Sequence, residues 1–253
     1  MSTTNEPPSP IAIAQRMGEA TTEGRLRPTL NGFGWEHLFL DDVAVQFIDA
    51  MKAVPGQANV VDLFVRSGYS TSRVLSETTA LVTACDPSSD HLAILTNGLS
   101  DAQRSRLTTK ACDALELEFE ESSLDGVLAL RWMHFLRPAE IRQMFSRYAK
   151  WLKPGGLLCV VALSPNVAIA KEKFLAIYEE RVRNGEEWPG AMEAGTSCWL
   201  KPAICIDHGY LFDLAVLERE CQKVGLEVLR RHYISHEHSL SVNTHVGLLA
   251  VKR

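Results

Sequence analysis

The sequence predicts an α/β protein built on a doubly wound, seven-stranded, mostly parallel sheet with an antiparallel last strand. Three observations predict it. From residue 59 to residue 163, short apolar runs rich in β-branched residues alternate with helix-length segments. Those runs are apolar throughout, as strands covered on both faces are, rather than on alternate residues. The chain then closes on two neighbouring strand-like segments joined by a short polar link, which forces an antiparallel pair.

Composition supports an ordinary globular protein. With 46% hydrophobic and 23% charged residues in a chain of 253, a sizeable core is available without special staples. Lys and Arg number 26 against 31 Asp and Glu, a formal net charge of −5, which disfavours a surface built to neutralise phosphates. No apolar run approaches the roughly 20 residues that span a bilayer. The first 25 residues have neither a basic nor an apolar signal region, so a cytoplasmic protein is expected. The six cysteines are scattered with no CxxC pair, and reduced thiols are the expectation.

Residues 1–30 carry Pro7, Pro8, Pro10 and Pro28 among Ser, Thr and Gly and read as a flexible N-terminal arm, with the domain proper over 31–253. Asp41 and Asp42 open a helix in which Val43, Phe47, Ile48 and Met51 recur at helical spacing, and Pro55-Gly56 stops it. NVVDLFV (59–65) is the first strand of the alternation, followed by a helix from Thr71 to Glu77. ALVTACD (80–86) is the second, followed by the helix SSDHLAILTNGL (88–99). RLTTKAC (106–112) is the third and SLDGVLALRWM (123–133) the fourth. AEIRQMFSRYAKWL (139–152) is an amphipathic helix, and GLLCVVAL (156–163) is the fifth strand. The rhythm then stops. A helix over 168–183 lies in a loop-rich cap insertion at about 164–210, and a helix over 213–224 leads to the final strands LEVLRRHYIS and SLSVNTHVGLLAVK.

Ligands of open α/β sheets bind beyond the carboxyl ends of the strands, near the point where strand order reverses. Three loops there carry acids. Asp62 lies in the first strand, Asp86 ends the second and Asp113 follows the third. An acid ending the second strand is placed to accept hydrogen bonds from a ribose diol, and Asp86 stands 24 positions after Asp62. Each acid alone also reads as a helix cap or a solvated loop residue. Their joint placement favours the ligand.

At these residues the chain resembles the class I S-adenosylmethionine-dependent methyltransferases, well over about 40–163 and more loosely over 209–253. The resemblance rests on VVDLFVRSGYST (60–71), CDPSSDHL (85–92), the Asp-Ala pair in CDALELEFEESSLDGVLAL (112–130), RWMHFLRPAEI (131–141) and WLKPGGLLCVVA (151–162). It implies S-adenosylmethionine as cofactor. Asp86 and Pro87 would lie at the ribose, Asp113 and Ala114 at the adenine, and Leu130 and Arg131 near the methionine part. Asp62 matches the strand-end acid and Gly68 the last glycine of the first loop.

That loop departs from the family. Two of its glycines are Phe64 and Arg66, where a backbone without Cβ normally approaches the ligand. Either Arg66 turns to the cofactor carboxylate and makes a charge-assisted pair, or the cleft is occluded and the fold survives as a scaffold. Leu130 replaces a polar residue of the family, a tolerable loss in a reaction that depends on orientation and exclusion of water. His134 matches the first histidine of the family's pair and is the candidate catalytic base, with a packing role as the plain alternative.

Four histidines, His232, His236, His238 and His245, gather near the end of the chain without a cysteine or a well-spaced carboxylate. A solvated hairpin fits them better than a metal site, so no metal is expected. Trp35, Trp132, Trp199, His208 and Tyr210 are the candidate acceptor-pocket residues, with Phe33 and Trp35 in an N-terminal helical lid. The expected activity is methyl transfer to a small organic acceptor, with no nucleic-acid or membrane partner and with a homodimer left open. The alternatives are a non-catalytic binding or regulatory partner, or a cofactor-dependent non-methylating enzyme such as a cyclase.

Overall fold

The computed structural model describes residues 26–30, 35–171, 174–192, 208–236 and 242–253. Strands β1 (Leu26–Pro28) and β2 (Trp35–His37) form an antiparallel ribbon, with Leu26 opposite His37. Helix α1 (Asp42–Lys52) follows. The central alternation runs β3 (Asn59–Leu63), α2 (Tyr69–Glu77), β4 (Leu81–Cys85), α3 (Ser89–Asn97), α4 (Asp101–Arg104), β5 (Leu107–Lys110), β6 (Leu124–Leu130), α5 (Pro138–Trp151) and β7 (Leu152–Leu163). Helices α6 (Ala168–Lys171) and α7 (Leu175–Arg183) and the ribbon of β8 (Ala191–Met192) with β9 (Gly209–Tyr210) come next. The chain ends with α8 (Leu214–Lys223), β10 (Leu226–Ile234) and β11 (His245–Lys252).

Seven strands form one sheet in the order β10-β11-β7-β6-β3-β4-β5. Only β11 runs antiparallel to its neighbours; the pairs β7–β6, β6–β3, β3–β4 and β4–β5 are parallel. The fold class expected from the sequence is therefore the observed one. Strand order reverses between β3 and β6, and the carboxyl ends of β3, β4 and β6 open there on a common edge.

Apolar continuity in the strands is explained by two cores. Val60, Val82, Leu128 and Val161 face α1, α2 and α3, while Val61, Leu63, Val127 and Val160 face α5 and α8. Helix α5 buries Ile141, Met144, Phe145, Tyr148 and Trp151, a stripe at helical spacing. Gly126 in β6 admits α1, since a Cβ there would stand against the Phe47 ring and 3.0 Å from the Met51 sulfur.

Four differences from the sequence expectations are physical. The single helix over 168–183 is two, α6 and α7, with the buried Phe174 at the start of the second in a non-helical conformation (φ −124°, ψ −25°). The fifth strand starts earlier, at Leu152, because Leu152 pairs with Leu124 before a register shift. Part of the expected arm, Leu26–Pro28, is a strand because Trp35–His37 gives it a partner. The described residues ahead of α1 are thus a ribbon rather than a helical lid. Phe33, Trp199 and His238 lie outside the described residues. Among the described residues no helix is long and apolar enough to cross a membrane.

Candidate active site

The loop after β3 keeps the backbone of a glycine loop while carrying side chains. Phe64 (φ 61°), Arg66 (φ 54°) and Gly68 (φ 81°) all adopt left-handed torsions, as does Arg131 (φ 58°) after β6. For residues with a Cβ this conformation costs about 1–2 kcal/mol each, and such torsions cluster at functional sites. Gly68 has a further reason to be glycine, because a Cβ would collide with the Leu95 side chain. Val65 N–H donates to the Cys85 carbonyl at 3.0 Å and Gly68 N–H to the Val65 carbonyl at 2.8 Å, which pins the loop to β4.

Two buried carboxylates hold that loop from below. Asp62 accepts from the Ser70 and Thr71 hydroxyls, each at 2.7 Å. Burial raises its pKa to about 6, against the lowering effect of those hydroxyls. Asp86 is 0% exposed. Its Oδ2 accepts the Arg66 N–H at 2.7 Å and its Oδ1 the Ser88 N–H at 2.9 Å. The His91 Nδ1 lies 2.9 Å from the same Oδ1. His91 Nε2 accepts the Leu30 N–H at 3.2 Å, so the ring proton sits on Nδ1 and is donated to Asp86.

Arginines occupy the space above. Arg66 is 8% exposed, and its Nη2 donates to the Arg131 carbonyl at 2.7 Å while its guanidinium lies 5.4 Å from the Phe64 ring centroid. Burial, then the Arg131 charge, lowers the Arg66 pKa to about 10, so it stays cationic at neutral pH. The Arg131 guanidinium pairs with Asp41, whose Oδ1 also accepts from His236 Nε2 at 2.8 Å. His37, His236 and His245 close the cluster with ring centroids 4.8–5.4 Å apart. Burial first, and Arg131 second, hold His37 and His245 well below the usual imidazole range. Among the described residues no group of His, Cys, Asp or Glu is arranged to hold a metal ion.

Two cavities meet at Phe64. The smaller, about 20 Å³, is lined by Glu36, Asp62, Phe64, Arg66, Leu130 and Arg131, among others. The larger, about 440 Å³, is lined by Phe64, Pro87, Asp113, Leu115, Trp132, Phe135, Leu136, Arg137, Glu140 and His208. The structure thus brings Pro87, Asp113, Trp132 and His208 around one space and Asp62, Arg66, Leu130 and Arg131 around another. Asp86, Gly68, Ala114, His134, Trp35 and Tyr210 line neither. Asp86 is turned inward by its three donors, and Ala114 is buried in the short turn that Asp113 caps through the Leu115 N–H at 2.9 Å. Tyr210 is fully buried, its hydroxyl accepting the Gly190 N–H at 3.4 Å. Trp35 sits on the outer ribbon, 39% exposed. His134 packs on Phe135 at 4.1 Å, and burial lowers its pKa to about 3, helped by Arg66 and Arg131.

Sequence reasoning passed over Glu36, Asp41 and His91. Glu36 accepts from Ser67 and, at 2.7 Å, from Arg27, tying the N-terminal ribbon to the loop. Asp41 looks like a helix cap in the sequence and stands at that position, yet its side chain caps nothing and serves Arg131 instead.

Known proteins share parts of this sequence and its fold. Residues 60–156 match the methyltransferase domain family. A phosphoethanolamine N-methyltransferase 2 of Caenorhabditis elegans is 31% identical over 127 residues, which is 50% of this chain but 28% of that relative. The chain therefore spans under a third of that relative's length. A Methanosarcina mazei S-adenosylmethionine-dependent methyltransferase superposes with a TM-score of 0.62 at 15% identity, over 84% of this chain and 98% of that one. The Burkholderia thailandensis 1,6-didemethyltoxoflavin-N1-methyltransferase, solved with bound 1,6-didemethyltoxoflavin and S-adenosylhomocysteine, gives 0.58 at 15% identity over 83% of this chain and 78% of that one.

Proposed function

We propose that this chain, a member of the class I S-adenosylmethionine-dependent methyltransferases, transfers a methyl group from that cofactor to a small organic acceptor. The observation that carries this reading is the cavity of about 440 Å³, where Pro87 after β4, Asp113 after β5 and the segment Trp132–Arg137 after β6 converge on one space. Bound there, S-adenosylmethionine supplies an electrophilic methyl group on a sulfonium.

The nucleoside end of the site fits such a group. Pro87, Leu115 and Phe64 would wall the purine, and the exposed Asp113 carboxylate offers an acceptor to an exocyclic amine. The amino-acid end is filled by the chain's own Arg66, and Asp86 is committed to the loop, so a ribose reaches that carboxylate only if the loop gives up one of its bonds. Trp132, Phe135, Leu136 and His208 make the rest of the cavity largely apolar, which suits a small ring or alkyl acceptor and excludes water during transfer.

His134, held neutral with a low pKa, is a weak base. An acceptor whose nucleophile already carries a lone pair needs none, and two of the three similar proteins named above are N-methyltransferases. The net charge of −5 supports a small molecule over a nucleic acid. A second reading, a fold that binds without catalysing, has the filled amino-acid end in its favour. Calorimetry with S-adenosylmethionine and S-adenosylhomocysteine, followed by transfer of labelled methyl into small-molecule fractions, decides between them. Absence of binding by either compound would overturn the enzymatic reading.

A further inference from the structure

Phe64 and Arg66 pay a backbone penalty at left-handed torsions, and the buried Arg66 side chain is held by one hydrogen bond and one ring contact, its Nε without a partner among the described residues. Its guanidinium satisfies the Arg131 carbonyl and stacks on Phe64, while its own N–H is anchored to Asp86. The backbone is therefore fixed and only the side chain is free to leave. What remains around it is about 20 Å³, the room of roughly one water. Across Phe64, the space lined by Pro87, Asp113 and Leu115 is more than twenty times larger.

We propose that Arg66 is a tethered occupant of the amino-acid end of the cleft, so that an adenine nucleoside without an amino-acid tail leaves the guanidinium in place while the complete cofactor must first displace it from the Arg131 carbonyl. The inference rests on the methyltransferase reading above and adds a discrimination to it. The site should rank ligands by whether they carry the tail, in the sense opposite to that of a cleft whose loop is glycine at this position. Arg66 is then a specificity-determining residue, and the departure from a glycine loop has a function rather than being decay.

Calorimetry with 5′-deoxy-5′-methylthioadenosine and S-adenosylhomocysteine tests this on the full chain and on Arg66→Gly. Glycine adopts φ 54° without strain, so the variant should fold, and a thermal melt checks that it has. The native protein is expected to bind the tail-less nucleoside at least as tightly as S-adenosylhomocysteine. Arg66→Gly should tighten S-adenosylhomocysteine by about tenfold or more, the equivalent of one buried charged hydrogen bond no longer broken, and move the nucleoside by less than about twofold. Arg66→Asn, short and tolerant of the left-handed region, should act in the same direction. Equal or weaker binding of S-adenosylhomocysteine in both variants would overturn the proposal and leave the methyltransferase reading standing. Failure of both ligands to bind any of the three proteins would overturn the reading and the proposal together.

Discussion

Asp41 and Arg131, 90 positions apart in the chain, meet as an ion pair whose side chains are 1% and 7% exposed. The pair ties the segment before α1 to the end of β6, and His236 joins it from beyond β10. Removing one partner of such a pair strands the other charge away from water. Asp41→Asn is expected to cost about 3–5 kcal/mol in urea denaturation. The double variant Asp41→Leu, Arg131→Met should lose less than the sum of its singles, because no lone charge remains. A loss under about 1 kcal/mol for Asp41→Asn would show that the pair is not buried as described.

His134 tests whether the family's histidine position acts as a base here. Burial lowers its pKa to about 3 from 6.5, with Arg66 and Arg131 adding to the effect. The native state therefore binds that proton less readily than the unfolded chain does. Its contribution to stability is complete above pH 6.5 and is lost as pH falls from there towards 3. Proton NMR of the His134 ring should show no titration between pH 8 and pH 5. A midpoint near 6.5 would place the ring in water and revive it as a base.

The fold was legible because burial on two faces writes itself into composition. Val60 and Val61 point into different cores, so a run with no alternation still announced a strand. That Pro87 and Asp113 share one cavity was legible because both lie in loops after parallel strands, which open on the same edge of the sheet. Asp41 was not, since a carboxylate before a helix has a sufficient local explanation and its partner lies 90 residues away. The filling of the cleft by Arg66 was legible only as a choice between two outcomes. Its backbone torsion could be inferred from the glycine that the loop shape requires, but the direction of a long flexible side chain depends on the Arg131 carbonyl and the Phe64 ring, which no local pattern brings together.

Gly126 reports on how closely α1 packs against the sheet. A Cβ at this position would stand against the Phe47 ring and 3.0 Å from the Met51 sulfur, and both side chains are nearly fully buried. Gly126→Ala should destabilise the protein by about 1–3 kcal/mol, the ordinary cost of overpacking a core. Combined with Phe47→Leu, which shortens the facing side chain, the added cost of the alanine should fall. Additive losses in urea denaturation would mean that Phe47 is not what the methyl group meets.

Asp62 makes the opposite pH contribution to His134 and separates the two experimentally. Burial raises its pKa from 3.8 to about 6 although the Ser70 and Thr71 hydroxyls favour the charged form. A carboxyl raised in the native state binds its proton more tightly there than in the unfolded chain. The stabilisation is therefore complete below pH 3.8 and is lost as pH rises from 3.8 towards 6. Asp62→Asn removes this titration while its amide oxygen still accepts from both hydroxyls. Measured by urea denaturation at pH 4, 5.5 and 7, the variant should gain on the native protein as pH rises, by up to about 3 kcal/mol across the range. A difference that stays flat with pH would mean that Asp62 ionises at its ordinary value, and that the loop after β3 rests on a solvated carboxylate rather than on one withdrawn from water.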